Sequence, residues 1–476
     1  MAENYDAVVV GSGPNGLSAA IELARQELSV CVLEASERIG GGTRSAELTE
    51  PGFIHDICSA IHPLAGVSPF FREIGLIEGD VSWVHPPAAL AHPFEDGTAG
   101  IVYPSLERTA EELGADGPAY ARLFEPLLRS PVALFEEVLR PVRIPKRPLL
   151  MARFGLHAIE SCTSLARRAF RGETAKALFA GCAAHASVPL DFAGTSAFAL
   201  TLLLAAHAYG WPCARGGSQS IANALETRLK AFGGEIRTGV QVRSLKDLPN
   251  FRAVLFDLPP KRVVEIAGSE LPTRFLARML CFRHGPGVFK ADWALDGPIP
   301  WKNPECSLAA TVHLGGTLGE IAESERKVWQ GGHPSKPFVL LAQPSLFDPT
   351  RAPHGKHTVW AYCHVPNGDR TDLTDVMEAQ IERFAPGFRK RILARHTFTA
   401  MELEHYNPAL VGGDIGGGAN DLANLLGRPV LRWDPYSTPN RRIYLCGSST
   451  PPGGGVHGMC GYWAARSALR RTFGFT

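Results

Sequence analysis

"YDAVVVGSGPNGLSAAIELA", residues 5–24, is the stretch whose reading decides the fold. Ala7-Val8-Val9-Val10 is an uninterrupted apolar run rich in β-branched residues, the composition of a parallel strand buried on both faces. Gly11, Gly13 and Gly16 follow at once in GxGxxG spacing, and Leu17, Ala20, Ile21 and Ala24 then recur at helical intervals. The order is strand, tight turn, helix. In that setting the first glycine permits the turn and the second lets a pyrophosphate approach bare backbone. The third lets helix and strand pack closely, and the helix N-terminus offers N–H groups and a positive dipole end. Gly11, Ser12, Gly13, Pro14, Asn15 and Gly16 are therefore candidate cofactor-binding residues.

The next strand strengthens the reading. "SVCVLEA" runs from Ser29 to Ala35, and Glu34 stands 18 positions after Gly16. An acidic residue near that spacing accepts hydrogen bonds from ribose hydroxyls, with Ala35 beside it. Its charge also repels a 2′-phosphate, which argues against NADP in this site.

Past Glu34 comes "ASERIGGGTRS" (35–45), with Arg38 and then Gly40-Gly41-Gly42-Thr43-Arg44. This block resembles the FAD-binding region shared by flavin amine oxidases and phytoene desaturases. "IYLCGSSTPPGGGVHGMCGYWAARSAL" (443–469) resembles the last motif of the same superfamily. Its triple glycine and the Ser after Gly447 look closest to the phytoene dehydrogenase-like branch, which includes the pyridine nucleotide-disulfide oxidoreductase domain-containing proteins. The resemblance covers the whole chain and is specific for the FAD fold, but says little about substrate. One departure stands out: relatives usually carry Arg where this chain has Gly42, leaving Arg38 or Arg44 to offset the pyrophosphate charge.

The resemblance implies an α/β fold: a Rossmann-like FAD-binding domain assembled from 1–79, 206–284 and 429–476. A substrate domain inserted as 80–205 and 285–428 would be α+β, a mixed sheet under a helical cap. It adds Arg38, Gly42, Thr43, Arg44, His62, Gly447, Ser448, Gly455 and Val456 to the cofactor-binding candidates. Val240 joins them through its backbone at the adenine, on a strand expected over Glu235–Val242. Lys290, in "GPGVFKADWALDGPIPW", resembles the strand lysine that reaches flavin N5 through a water, with Asp292 as its same-face partner. His457 is the second catalytic candidate. His55 and Asp56 are cavity candidates, and Tyr462 and Trp463 could cap the flavin or pack in the core.

Composition sets the remaining bounds. The 476 residues carry a net charge of +1, which offers nothing to nucleic acid. The ten cysteines show no metal-ligand spacing and read as reduced core thiols of a cytoplasmic protein. No metal site is expected, and no stretch is apolar enough for a membrane span. The apolar segments 62–71 and 198–211 suit an entrance for hydrophobic molecules or a peripheral membrane contact, and core packing accounts for them equally. Helices are expected over Leu106–Leu113, Tyr120–Val138 and Glu160–Phe170. No second GxGxxG announces an NAD(P)H domain, so electrons would leave to O₂ or a quinone. The implied function is a non-covalent FAD oxidoreductase acting on a C–C or C–N bond of an unidentified small-molecule substrate, with a hydrophobic one left open. A flavoprotein isomerase and a catalytically quiet flavin-binding protein remain alternatives, and homo-oligomerisation is left open.

Overall fold

The computed structural model describes residues 4–475. Five parallel strands form one sheet in the order Ile443–Leu445, Asn250–Phe256, Asn4–Val10, Val30–Leu33, Glu235–Arg237. The apolar run Ala7–Val10 lies at its centre and is buried on both faces. On one face the helix Pro14–Ala24 packs against the helices Gln219–Ala231 and Met459–Ala468. On the other face Val8, Val10, Val254 and Phe256 meet Val263, Phe275 and Met279 of two short helices.

The second sheet has seven strands in the order Ile392–Phe398, Gly287–Leu295, His357–Val365, Val339–Ala342, Ala309–Leu314, Ala88–Pro93, Ala99–Val102. It is antiparallel except where Ala309–Leu314 runs parallel to Ala88–Pro93. Strand alternation sorts its side chains. Phe289, Ala291, Trp293, Val359 and Ala361 form an apolar core with Met377, Ile381 and Phe384 of the helix Thr374–Phe384. The intervening residues Lys290, Asp292, Trp360, Tyr362 and His364 occupy the opposite face, with Lys290 paired across from Tyr362 and Asp292 from Trp360. That inner face looks toward the parallel sheet and the helices Glu173–Ala184 and Thr195–Ala208, whose apolar residues share one core with Trp360 and Tyr362.

Two sequence expectations change, and one left open is decided. The helix expected over Tyr120–Val138 is two helices, Gly117–Leu128 and Pro131–Val138. Pro131 has no N–H to continue the first and suits the first turn of the second. The strand expected to reach Val242 ends at Arg237, because the chain then leaves the ladder to wrap the end of Val30–Leu33: Gly239 N–H donates to Ser36 O at 3.0 Å and Val240 N–H to Glu34 O at 2.8 Å. The segments 62–71 and 198–211 are interior, with Phe70, Phe71, Leu203, Leu204 and Trp211 all buried. Exposed apolar side chains lie elsewhere, at Val142, Ile144, Leu149, Leu156, Ile159 and Trp433. Among the described residues, no helix is long and apolar enough to cross a membrane.

Candidate functional site

A continuous cavity of about 840 Å³ runs from the glycine loop to the inner face of the second sheet. At the loop, strand and helix approach so closely that a Cβ on Gly16 would sit 2.1 Å from the carbonyl oxygen of Gly11. A Cβ on Gly13 would lie 2.6 Å from Asp257 Oδ2. Neither position accepts a side chain. Gly11, Ser12, Gly13, Pro14 and Asn15 line the cavity, while Gly16 lies behind them.

Glu34 anchors this end. Its Oε2 accepts from Ser12 N–H at 3.0 Å and Ser12 Oγ at 2.6 Å, and its Oε1 accepts from Ser36 N–H at 2.9 Å and Arg44 Nη2 at 3.0 Å. Arg44 is thus inside the site, 6% exposed, and its Nε and the Oδ1 of Asn15 are buried without a partner among the described residues. Arg38 is exposed and lies off the cavity wall, so of the two candidate cations the structure puts only Arg44 at the cavity. Ala35, Gly42, Thr43, Val240, Ser448, Gly455 and Val456 line the cavity as well, whereas Gly447 is packed behind it against Asp257.

Asp257 is a residue that sequence reading missed. It ends the strand Asn250–Phe256, lines the cavity, and accepts from Gly16 N–H at 2.9 Å through Oδ2. Burial, reinforced by the nearby charge of Glu34, pushes its carboxyl up to about 7, against the amides of Gly16 and Gly13. A carboxyl here stands at the helix N-terminus that the motif reserves for phosphate.

His457 and His62 are neutral and hydrogen-bonded. Burial pushes His457 down to about 4, opposed by the carbonyls of Gly453 and Gly454. Its Nδ1 accepts from Met459 N–H at 3.0 Å, so it ties down the start of the helix Met459–Ala468 while lining the cavity. Burial also takes His62 to about 4. Ser218 Oγ donates to Ser59 O at 2.6 Å, which assigns the proton of the 2.9 Å His62–Ser218 bond to His62 Nε2.

Lys290 is buried at 2% exposure and ion-paired with Asp292, as strand alternation predicts. Its ammonium is directed to that carboxylate and the residue is not on the cavity wall; its charge is felt by Cys58, which is. His55 Nδ1 lies 3.5 Å from Asp292 Oδ1, extending the cluster beneath the wall. Asp56 does not face the cavity. It is buried in an ion pair with Arg351 at 2.6 Å and accepts from Ser45 Oγ and Ser218 N–H, and these hold its carboxyl low against the cost of burial. Tyr462 and Trp463 pack at the core, Tyr462 against Phe70 and Trp463 donating to Leu139 O at 3.1 Å.

At the far end the wall changes character. Phe198, Leu202, Trp211, Trp360 and Tyr362 present apolar and aromatic surface, with His185 and Ser187 among them.

The family described as NAD(P)-binding Rossmann-like domain matches residues 9–74. Pyridine nucleotide-disulfide oxidoreductase domain-containing protein 2 of Rattus norvegicus is 26% identical, over 98% of this chain and 93% of its own. The 4,4'-diapolycopen-4-al dehydrogenase of Metabacillus indicus is 22% identical, over 94% of this chain and 93% of its own. Among solved structures, a redesigned putrescine oxidase superposes with a TM-score of 0.62 at 16% identity, covering 98% of this chain and 99% of that one. The parallel sheet with its glycine loop and the mixed second sheet thus share the fold of that oxidase, and the chain is similar over nearly its whole length to the two oxidoreductase relatives.

Proposed function

We propose that the cavity holds FAD non-covalently and that the chain removes a hydride from a C–C or C–N bond of an apolar small molecule. The observation that carries this reading is the continuity of one cavity from a nucleotide-type cradle to an aromatic wall. The cradle fits the cofactor. Backbone at Gly13 and Gly16 leaves no room for a side chain, and Arg44 Nε and Asn15 Oδ1 are a buried donor and acceptor without partners among the described residues. Gly11–Asn15 and Arg44 would hold the pyrophosphate, Glu34 and Ser12 the ribose, Val240 the adenine, and Gly455–Val456 the flavin end. Bound there, the flavin supplies hydride acceptance.

The chain's own side chains do the rest. Phe198, Trp211, Trp360 and Tyr362 exclude water and orient an apolar substrate. His457, neutral and bonded to Met459 N–H, positions the final helix, whose N-terminal dipole favours negative charge beside Val456. The Lys290–Asp292 pair contributes charge from behind Cys58. Electrons then pass to O₂ or a quinone.

Two measurements test this. Acid precipitation of the FAD-loaded protein should leave all the yellow colour in the supernatant, and a yellow pellet overturns non-covalent binding. Anaerobic mixing with panels of amines, polyenes and other apolar hydride donors should bleach the flavin absorbance with at least one class. Turnover of a panel member with the flavin staying oxidised at every stage would reject hydride transfer.

A further inference from the structure

The inner face of the second sheet carries a constellation that flavin binding does not use. Ser187 Oγ lies 3.0 Å from His364 Nε2, and His364 Nδ1 lies 2.8 Å from Glu325 Oε2. The three residues come from separate elements. Ser187 follows the helix Glu173–Ala184, Glu325 belongs to the helix Leu318–Trp329, and His364 to the strand His357–Val365. The side chains of His364 and Glu325 are each 1% exposed, whereas Ser187 opens on the cavity. Glu325 Oε1 and His364 Nδ1 are both without a hydrogen-bond partner among the described residues, so the carboxylate stands beside the imidazole as a counter-charge.

The backbone at the serine is unusual in the same direction. Ser187 has φ +54°, a left-handed conformation that costs a non-glycine residue free energy and recurs where function over-determines the geometry. Its N–H donates to Ala184 O at 2.9 Å, closing the turn that presents the hydroxyl. The next residue, Val188, is buried, and its amide makes no hydrogen bond among the described residues.

We propose that Ser187, His364 and Glu325 form an acyl-transfer triad that hydrolyses a carboxylic ester bound against the apolar wall of Trp211, Trp360 and Tyr362. Ser187 Oγ bonds to the carbonyl carbon as its proton passes to His364 Nε2, and the carbonyl oxygen takes up the negative charge. The C–O bond to the alcohol breaks, and the alcohol leaves with the proton from His364. Water then repeats the sequence on the acyl-serine, releasing a carboxylic acid and restoring Ser187. Glu325, 2.8 Å from the ring, stabilises the charge that the imidazole gains. No oxidant or reductant is involved, so the activity stands or falls independently of flavin turnover.

The test uses the full-length, FAD-loaded protein. It is incubated with a long-chain fluorophosphonate probe and, separately, with the small reagent phenylmethylsulfonyl fluoride, and adducts are located by peptide mass spectrometry. A single adduct at Ser187 is expected, together with hydrolysis of p-nitrophenyl esters that both reagents abolish. Ser187→Gly removes the hydroxyl and suits the left-handed backbone, so it should keep its fold and flavin while losing both signals. His364→Gln should slow labelling by about 100-fold or more, the contribution of a general base. Absence of an adduct with either reagent overturns the proposal. So does equal labelling of Ser187 in the wild type and His364→Gln, which would make the contacts structural.

Discussion

The two sheets solve opposite problems. In the parallel sheet the runs Ala7–Val10, Val30–Leu33 and Ala253–Phe256 are apolar on both faces, and the chemistry is confined to the loops at its edge: the glycine turn, Glu34 and Asp257. In the mixed sheet the chemistry is built into the strands, with one face an apolar core and the other carrying Lys290, Asp292, His313, Tyr362 and His364. The first arrangement makes a ligand site from backbone, so it depends on steric room more than on particular side chains. The second makes a site from buried polar groups that must satisfy one another, and a single change there leaves a partner stranded.

The sharpest way to break the comparison is at the seam. Arg351 reaches Asp56 at 2.6 Å and Ile54 O at 3.0 Å, both on the small hairpin that carries Ser45. Arg351→Met strands a buried carboxylate and should cost about 3–5 kcal/mol in denaturant unfolding. Unchanged stability would mean that the halves cohere by apolar packing alone.

Smaller in energy is the loss of Glu34. Its carboxylate organises Ser12 and Arg44 and, under the proposed function, would also hold the ribose, and each charge-assisted hydrogen bond contributes about 1.5–3 kcal/mol. FAD affinity in Glu34→Ala, measured by fluorescence titration, should therefore fall by on the order of 100-fold, since about 1.4 kcal/mol is tenfold. Retention at wild-type strength would show that backbone alone holds the cofactor.

The smallest effect is a slope. Asp257 has a folded pKa of about 7, raised from 3.8 by burial. Because the folded state holds this proton more tightly, the associated stability is fully present below the unfolded pKa and lost as pH rises through about 7. The apoprotein should lose up to about 1.4 kcal/mol per pH unit across this window relative to Asp257→Asn, which cannot ionise. FAD should bind more weakly at pH 8 than at pH 6 in the wild type, with a flatter dependence in the variant. Parallel pH profiles for the two proteins would show that Asp257 titrates normally.

What could be read from the chain follows the same division. The glycine loop and Glu34 were legible because strand, turn and helix impose local spacing, and spacing is what a sequence displays. Lys290 and Asp292 were legible as a same-face pair from period two alone, but their mutual ion pair withdraws the ammonium from the cavity. Arg44 could not be separated from Arg38 without knowing which way the chain turns after Gly40. Ser187, Glu325 and His364 meet across long separations, and each alone resembles an ordinary core polar residue. The one local hint was the alternation in "HTVWAYCHV", which puts His364 on the face of Trp360 and Tyr362. Asp257 was hidden because its partner, Gly16 N–H, lies 241 positions away in the sequence.

The strand order of the parallel sheet has a consequence for synthesis. Its first-made strand, Asn4–Val10, lies between Val30–Leu33 and Asn250–Phe256, and the edge strand Ile443–Leu445 joins only after more than four hundred residues have been made. Gly455, Val456 and the helix that His457 steadies emerge later still. On the ribosome, the nucleotide-binding turn must therefore wait, half-walled, for its last neighbours. Such distant pairings are slow to close and expose apolar strands meanwhile. Free flavin supplied during translation would then act on yield as much as on activity, by capturing the sheet at the moment its final strand docks.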